Sequence, residues 1–210
     1  MGLRFSCTPR RYRLPIGMLR RYRLALALWL CSVTMVFVAF TSAYIVRRGV
    51  PTYDTDTGVY STHWETLHAP GLLLLINSVL LVGAALAIEI ARRRSGASEG
   101  DQNLRRSAFA SSLASLILVL GFLAGQAMAW NVLRRNGETM ASGARPAFFY
   151  LLTAAHGLNV ALGLFALVWI ALRGMGWSPA KRHVATDLTA WYVHAMAVLW
   201  IYLLCFLWFA

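Results

Sequence analysis

Apolar side chains dominate five long stretches of the chain, and polar side chains cluster in the connections between them. Each stretch has about 20 residues or more, which is the helix length needed to cross a bilayer core of roughly 30 Å. The runs are continuous, whereas the strands of a membrane barrel would be segments of about ten residues with alternating polarity. The pattern therefore predicts an all-α integral membrane bundle of five transmembrane helices. They cover about residues 23–46, 69–91, 107–133, 147–172 and 188–210.

Composition agrees with this class, because 59% of the residues are hydrophobic and only 13% are charged. A soluble domain or a disordered chain would have a different balance. Arginines precede the first span, as in a signal peptide, but its apolar core is too long and no small-residue cleavage site follows. We expect this span to remain in the protein. The chain then consists of a basic arm, residues 1–22, and one transmembrane domain, residues 23–210, without an internal repeat.

The twenty Lys and Arg residues are distributed unevenly between the two sides of the predicted bundle. Seven precede or begin the first span, five lie in the second connection and three in the fourth, whereas the other side has five. By the positive-inside rule the N-terminus is cytoplasmic and the C-terminus lies on the outer, periplasmic side. A basic arm beside a membrane span is typical of attraction to anionic lipid headgroups, so we predict no nucleic-acid partner.

Two connections and the cysteines add little chemistry. The first connection, residues 47–68, is long enough for either a small ordered cap or a partner contact. Within the second connection, residues 92–103 are predicted to be a solvated hinge. The three cysteines, Cys7, Cys31 and Cys205, show no metal-ligand spacing, so we expect them to be inert.

Acidic residues are nearly absent from the spans. Of the eight in the chain, only Glu89 falls inside a predicted span, one turn from its cytoplasmic end and beside Arg92 and Arg93. A proton or ion pathway usually has ionisable groups at several depths, which this pattern lacks.

The third span contains Gly121, Gly125 and Ala129 at intervals of four, and Ser111 and Ser115 continue much the same stripe. Small residues at this spacing let a second helix approach closely. The stripe therefore predicts a packing seam rather than a ligand site.

The fourth span carries His156, Asn159 and Gly163 on one face of an otherwise apolar helix. A polar group in hydrocarbon costs free energy unless it is paired. We therefore predict that a neighbouring helix hydrogen-bonds His156 and Asn159 while Gly163 admits its backbone. This structural role is favoured over a chemical one.

Haem or metal binding is the chemical alternative. With a rise of 1.5 Å per residue, His156 and His194 differ in depth by roughly 7 Å, which is too much for two axial ligands of one haem. A copper or zinc site lacks a second strong ligand on the His156 face, because Asn159 is a weak one.

The order of residues resembles subunit III of the haem-copper terminal oxidases. The run LGFLAGQAMAWNVL (120–133) is followed by FFYLLTAAHGLNVALG (148–163), as in a family pattern of a Gln-containing helix, an aromatic pair, a Thr and an HG motif. The first, second and last spans are similar to family helices as well. The ordered features that carry the resemblance are Gln126, Trp130, the aromatic pair, His156 with Gly157, and His194 with Trp200.

The family has seven-helix and five-helix forms, and the short form agrees with the topology predicted from charge. The chain departs from the family at three positions. Val33 stands where the family usually has a glutamate, Asn159 replaces the second His of HGxH, and Ala197 replaces an aspartate. These changes favour a mainly structural and lipid-binding role over one in proton uptake.

The resemblance implies a non-catalytic accessory subunit in a bacterial inner membrane. Such a subunit packs against catalytic subunit I and also subunit II, binds phospholipid and supports turnover, while haem and copper reside in those partners. Glu89, the His156 and Asn159 face and the small-residue stripe would then be contacts. The electron donor (cytochrome c or quinol), the haem type and membership of a respiratory supercomplex stay open. The alternatives are a small membrane transporter and a haem-carrying membrane cytochrome that uses His156 or His194.

Overall fold

The computed structural model describes residues 16–53, 58, 60–61, 69–97 and 101–209. Each of its five helices is long and apolar enough to cross a membrane. The predicted all-α, five-span architecture is therefore confirmed, and the chain is a multi-pass membrane protein. The helices are α1 (Ile16–Gly49), α2 (Gly71–Ala97), α3 (Gln102–Arg135), α4 (Ala144–Arg173) and α5 (Pro179–Phe209).

The helices extend beyond the predicted spans, and residues 92–97 and 102–103, which were predicted to lie in a solvated hinge, are helical. Helix α2 continues to Ala97, and α3 begins at Gln102 after Asp101, whose carboxylate accepts the N–H groups of Asn103 and Leu104. Arginine is a good helix former, so a run of arginines continues a helix past the bilayer edge. Helix α1 begins at Ile16 and includes the end of the predicted arm. Residues 1–15, with Cys7, lie outside the described residues.

The first connection contains a short antiparallel strand pair, β1 (Thr52–Tyr53) and β2 (Tyr60–Ser61). Tyr53 lies opposite Tyr60, and their ring centroids are 5.1 Å apart. The described part of this connection is therefore a short pair of strands, and the predicted alternatives of an ordered cap and a partner contact both stay open. Several of its polar residues lie outside the described part: Asp54, Asp56, His63, Trp64, Glu65 and His68.

Contacts between the helices define the two ends of the bundle. Helices α2 and α3 are antiparallel, and the Ser115 hydroxyl donates a hydrogen bond of 2.9 Å to the Ala84 carbonyl. Helix α5 is antiparallel to α2 and parallel to α1. We call the end with the start of α1, the α2–α3 turn and the start of α5 the basic end, and the other the opposite end. The sequence predicts that the basic end is cytoplasmic.

Aromatic side chains fill the centre of the bundle. Phe37, Tyr44, Phe122, Phe149 and Trp200 are among its largest fully buried side chains. Edge-to-face pairs such as Phe122 with Trp200, 5.0 Å between centroids, contribute about 0.5–1.5 kcal/mol each beyond the area they bury. This aromatic centre surrounds the polar residues considered next.

Candidate functional site

His156 lies in the middle of α4 and is fully buried in an aromatic cage. Its ring centroid is 5.2 Å from that of Trp200 on α5, 5.8 Å from Phe122 on α3 and 6.4 Å from Phe37 on α1. Neither ring nitrogen has a hydrogen-bond partner. Four helices therefore meet around one imidazole.

Asn159 and Gly163 lie on the same helix but face Tyr192 of α5. The side-chain NH2 of Asn159 donates to the Ala155 backbone carbonyl of its own helix at 2.9 Å. The backbone carbonyl of Asn159 accepts a hydrogen bond from the Tyr192 hydroxyl at 2.8 Å. A Cβ at Gly163 would lie 3.0 Å from the Tyr192 ring, so Gly163 admits a side chain rather than a backbone. A side chain of the neighbouring helix thus hydrogen-bonds Asn159 as predicted, at its backbone carbonyl, whereas the predicted hydrogen bond to His156 is wrong. The reason is that the residues facing His156 are aromatic.

Three buried polar side chains on three helices form what we call the polar layer: Asn77 of α2, Gln126 of α3 and His156 of α4. Their exposed fractions are 0%, 2% and 0%, and none of their side-chain nitrogen or oxygen atoms has a hydrogen-bond partner among the described residues. Next to Asn77, Ser78 accepts the Trp200 indole N–H at 3.0 Å. Sequence reasoning missed Asn77, although an Asn inside the apolar run LLLLINSVLL was a signal.

The small-residue stripe of α3 faces α2. A Cβ added at Gly125 would overlap the Oδ1 of Asn77, and one added at Gly121 would lie 3.5 Å from Leu80. Ala129 is fully buried one turn further. The glycine at 125 thus provides the space in which the Asn77 amide lies.

Trp130 lies above the polar layer, toward the opposite end. Its indole N–H donates to the Thr153 hydroxyl at 3.0 Å, and the Tyr150 hydroxyl donates to the Glu138 carbonyl at 3.0 Å. These contacts fasten α3 to the start of α4, where the aromatic pair of the sequence motif lies.

An ion-pair network joins three helices at the basic end. The Asp187 carboxylate is 1% exposed, and it lies 2.9 Å from the Arg23 guanidinium of α1 and 3.3 Å from the Arg92 guanidinium of α2. Arg92 and Arg93 also contact Glu89, at 2.7 and 2.8 Å. Glu89 is therefore paired within its own helix, whereas Asp187 connects helices. The sequence pattern placed Asp187 just outside the fifth span, so its role was missed.

His194, the other histidine considered as a haem ligand, contacts the backbone of its own helix. The Nδ1 of His194 lies 2.7 Å from the Ala190 carbonyl of its own helix, and the ring is only half-buried. Aromatic rings close around His156, so an iron atom has no approach to it without displacing them. Among the described residues no group of three or more His, Cys, Asp or Glu is placed to hold a metal ion.

Two of the positions where the chain departs from the family pattern lie in the core, and the described cysteines lie on the surface. Val33 and Ala197 are buried in the apolar core, where an acid would need a partner. The described cysteines, Cys31 and Cys205, are exposed on the sides of their helices.

Comparison with known proteins agrees along the whole bundle. The family described as Cytochrome c oxidase subunit III matches residues 16–210. Cytochrome c oxidase subunit 3 of Triticum aestivum is 25% identical over 86% of this chain and 65% of its own length. Cytochrome c oxidase subunit 3 of Rattus norvegicus is 28% identical over 86% of this chain and 66% of its own length. The probable cytochrome c oxidase subunit 3 of Mycobacterium bovis is 28% identical over 86% and 84%. The chain thus spans about two thirds of the length of the plant and animal relatives.

Proposed function

The chain belongs to the cytochrome c oxidase subunit III family, and on this premise we propose that it is the accessory subunit III of a respiratory haem-copper oxidase in a bacterial cytoplasmic membrane. The observation that carries the proposal is that the family match covers all five helices. Haem, copper and oxygen reduction then belong to subunit I and subunit II. This chain packs beside them and supports their turnover.

The distribution of polar contacts supports a packing role. Several strong polar contacts join different helices of this chain, as between Asp187 and Arg23 or between Trp130 and Thr153. The positions of the missing family acids, Val33 and Ala197, are filled by apolar side chains of the core. The chain therefore contributes a stable apolar surface, and any proton uptake route would belong to its partners.

We further propose that phospholipid binds in a cleft at the opposite end, between α2, α4 and α5. This cleft has a volume of about 240 Å³ and is lined mainly by apolar side chains, with Arg145 and Trp208 beside them. A guanidinium next to an apolar groove suits a lipid phosphate and its acyl chain. Tryptophan is the residue typical of the headgroup level.

The lipid proposal predicts that Arg145→Ala lowers the amount of phospholipid that copurifies with the complex, by about threefold or more. Native mass spectrometry of the purified oxidase would count the bound lipids. Arg135→Ala is the matched control, because Arg135 is an exposed arginine at the same end of the bundle and does not line the cleft. Equal lipid retention by the two variants would contradict the proposal.

Affinity purification of the full chain from membranes tests the accessory role itself. We expect a larger haem-copper polypeptide to copurify and to carry the whole Soret absorption. The chain separated from its partners should be colourless. A Soret band on the separated chain would support the membrane cytochrome instead, and solute flux in proteoliposomes that contain the chain alone would support the transporter.

Replacing His156 with glutamine should leave the oxidase spectrum unchanged and loosen subunit association at most. The loss of ring contacts with Phe37, Phe122 and Trp200 should cost about 1–3 kcal/mol of stability. His194→Gln is the matched control and should cost less, since His194 is half-buried. Loss of haem from an otherwise assembled complex in either variant would contradict a packing role.

A further inference from the structure

The polar layer presents an energetic problem at the centre of the bundle. Each unpaired buried donor or acceptor costs about 1–3 kcal/mol, and natural proteins pair the great majority of such groups. Asn77, Gln126 and His156 together bury six side-chain nitrogen and oxygen atoms without a partner. They lie in a region where apolar side chains would pack without this cost. A small molecule that hydrogen-bonds these groups would offset this cost.

The contacts place these three side chains at one level of the bundle. The Asn77 amide lies against Gly125, the residue next to Gln126. One turn before Gln126 on the same helix, Phe122 packs against the His156 ring, and Trp200 packs against both rings. Trp200 also donates its indole N–H to Ser78, the neighbour of Asn77. Trp200 thus connects the α2 and α4 members of the layer.

Space adjoins the layer from the opposite end. The cleft between α2, α4 and α5 reaches Thr153 and Trp200. Thr153 precedes His156 by one helical turn, and Trp200 is in contact with its ring. The cleft therefore ends one side chain away from His156, with the Trp200 ring between them.

The chemistry of the three side chains selects the occupant. Two amides and an imidazole offer both donors and acceptors but no formal charge when the histidine is neutral. This set does not suit an anion, and His is the only good transition-metal ligand in it. The three side chains are paired by a molecule that donates and accepts hydrogen bonds and is small enough for a close-packed core. Water meets both requirements.

We propose that Asn77, Gln126 and His156 form an internal water-binding site, which holds one or more ordered water molecules in the core of the bundle and fixes the relative positions of α2, α3 and α4. The site is separate from the lipid cleft, because none of its three residues lines that cleft. It does not depend on the oxidase assignment.

A cryo-electron microscopy map of the purified full chain with its copurifying subunits tests the proposal directly. The map should resolve ordered water around the Glu89 and Arg92 ion pair, which serves as the internal standard. We expect non-protein density within about 2.6–3.2 Å of a His156 ring nitrogen and of the Asn77 or Gln126 amide. Direct hydrogen bonds among the three side chains, or a dry layer in such a map, would overturn the proposal.

A double-mutant cycle supplies a second and independent measurement. His156→Phe and Gln126→Leu, alone and together, are compared by thermal unfolding of the full chain. Water shared by the two residues makes the combined loss smaller than the sum of the single losses. The control pairs His156→Phe with Ser112→Ala, because the Ser112 hydroxyl bonds only to Ala108 of its own helix. Additive losses in both cycles would overturn the site.

Discussion

Replacing Asp187 with asparagine should be among the most destabilising single changes of charge in this chain. The carboxylate is almost fully buried and is shared by Arg23 and Arg92. Asparagine keeps one acceptor oxygen but removes the negative charge, and its NH2 donor would face one of the two guanidinium groups. Breaking a fully buried pair costs about 3–5 kcal/mol, but the two arginines are 47% and 33% exposed and retain contact with water and headgroups. We therefore expect a loss of about 2–3 kcal/mol.

Thermal unfolding of the full chain in detergent measures this loss. Asp101→Asn is the matched control, since it makes the same chemical change at the same end of the bundle. Asp101 is exposed and caps α3, and asparagine caps helices as well as aspartate does. The control should change stability by only a few tenths of a kcal/mol. Equal midpoints for Asp187→Asn and the unsubstituted chain would show that the network does not stabilise the bundle.

The same network indicates that the loss of Asp187 weakens the bundle first at α1. Helix α1 contacts α5 and α4 but has no extensive contact with α2 or α3 among the described residues. Asp187 is the residue through which Arg23 of α1 and Arg92 of α2 meet. Loss of this carboxylate should therefore separate α1 from the rest of the bundle first. Faster proteolysis near the start of α1, before the other helices unfold, would be the signature.

The five helices could be predicted from sequence because the bilayer imposes their length. Once about 20 apolar residues follow one another, only a helix satisfies the backbone. The ends were less predictable, since Arg92 and the arginines after it continue α2 where polarity suggested a loop. The change to polar residues indicates where the hydrocarbon core of the bilayer ends, and a helix can continue beyond that point.

The candidate site was only partly predictable because side-chain pairing is a tertiary property. The apolar sequence around His156 indicated that it is buried, but periodicity could not show that aromatic rings from three other helices enclose it. Asn77 and Gln126 are separated by a whole helical hairpin, so their common level depends on the register of α2 and α3. Asp187 lies just before the predicted fifth span, where an acid normally suggests solvent, although it is two turns into α5.

Replacing Gly125 with alanine should destabilise the bundle even though alanine is the better helix former. Intrinsic propensity alone would favour alanine by about 1 kcal/mol. At this position, however, the added methyl would overlap the carbonyl oxygen of the buried Asn77 amide, at the interface of α2 and α3. Overpacking of this kind costs about 1–3 kcal/mol, and displacement of Asn77 adds to it, so we expect a net loss near 2 kcal/mol.

Gly157→Ala is the matched control, because it makes the same change inside a transmembrane helix where a Cβ would meet no atom within 4 Å. Thermal unfolding should show no loss there, or a small gain. Combining Gly125→Ala with Asn77→Ala provides the decisive comparison, since removal of the amide clears the space that the new methyl needs. The double variant should then be more stable than the sum of the two single losses predicts. If Gly125→Ala matches Gly157→Ala, the glycine serves no close packing, and the α2–α3 register derives from the surrounding apolar side chains instead.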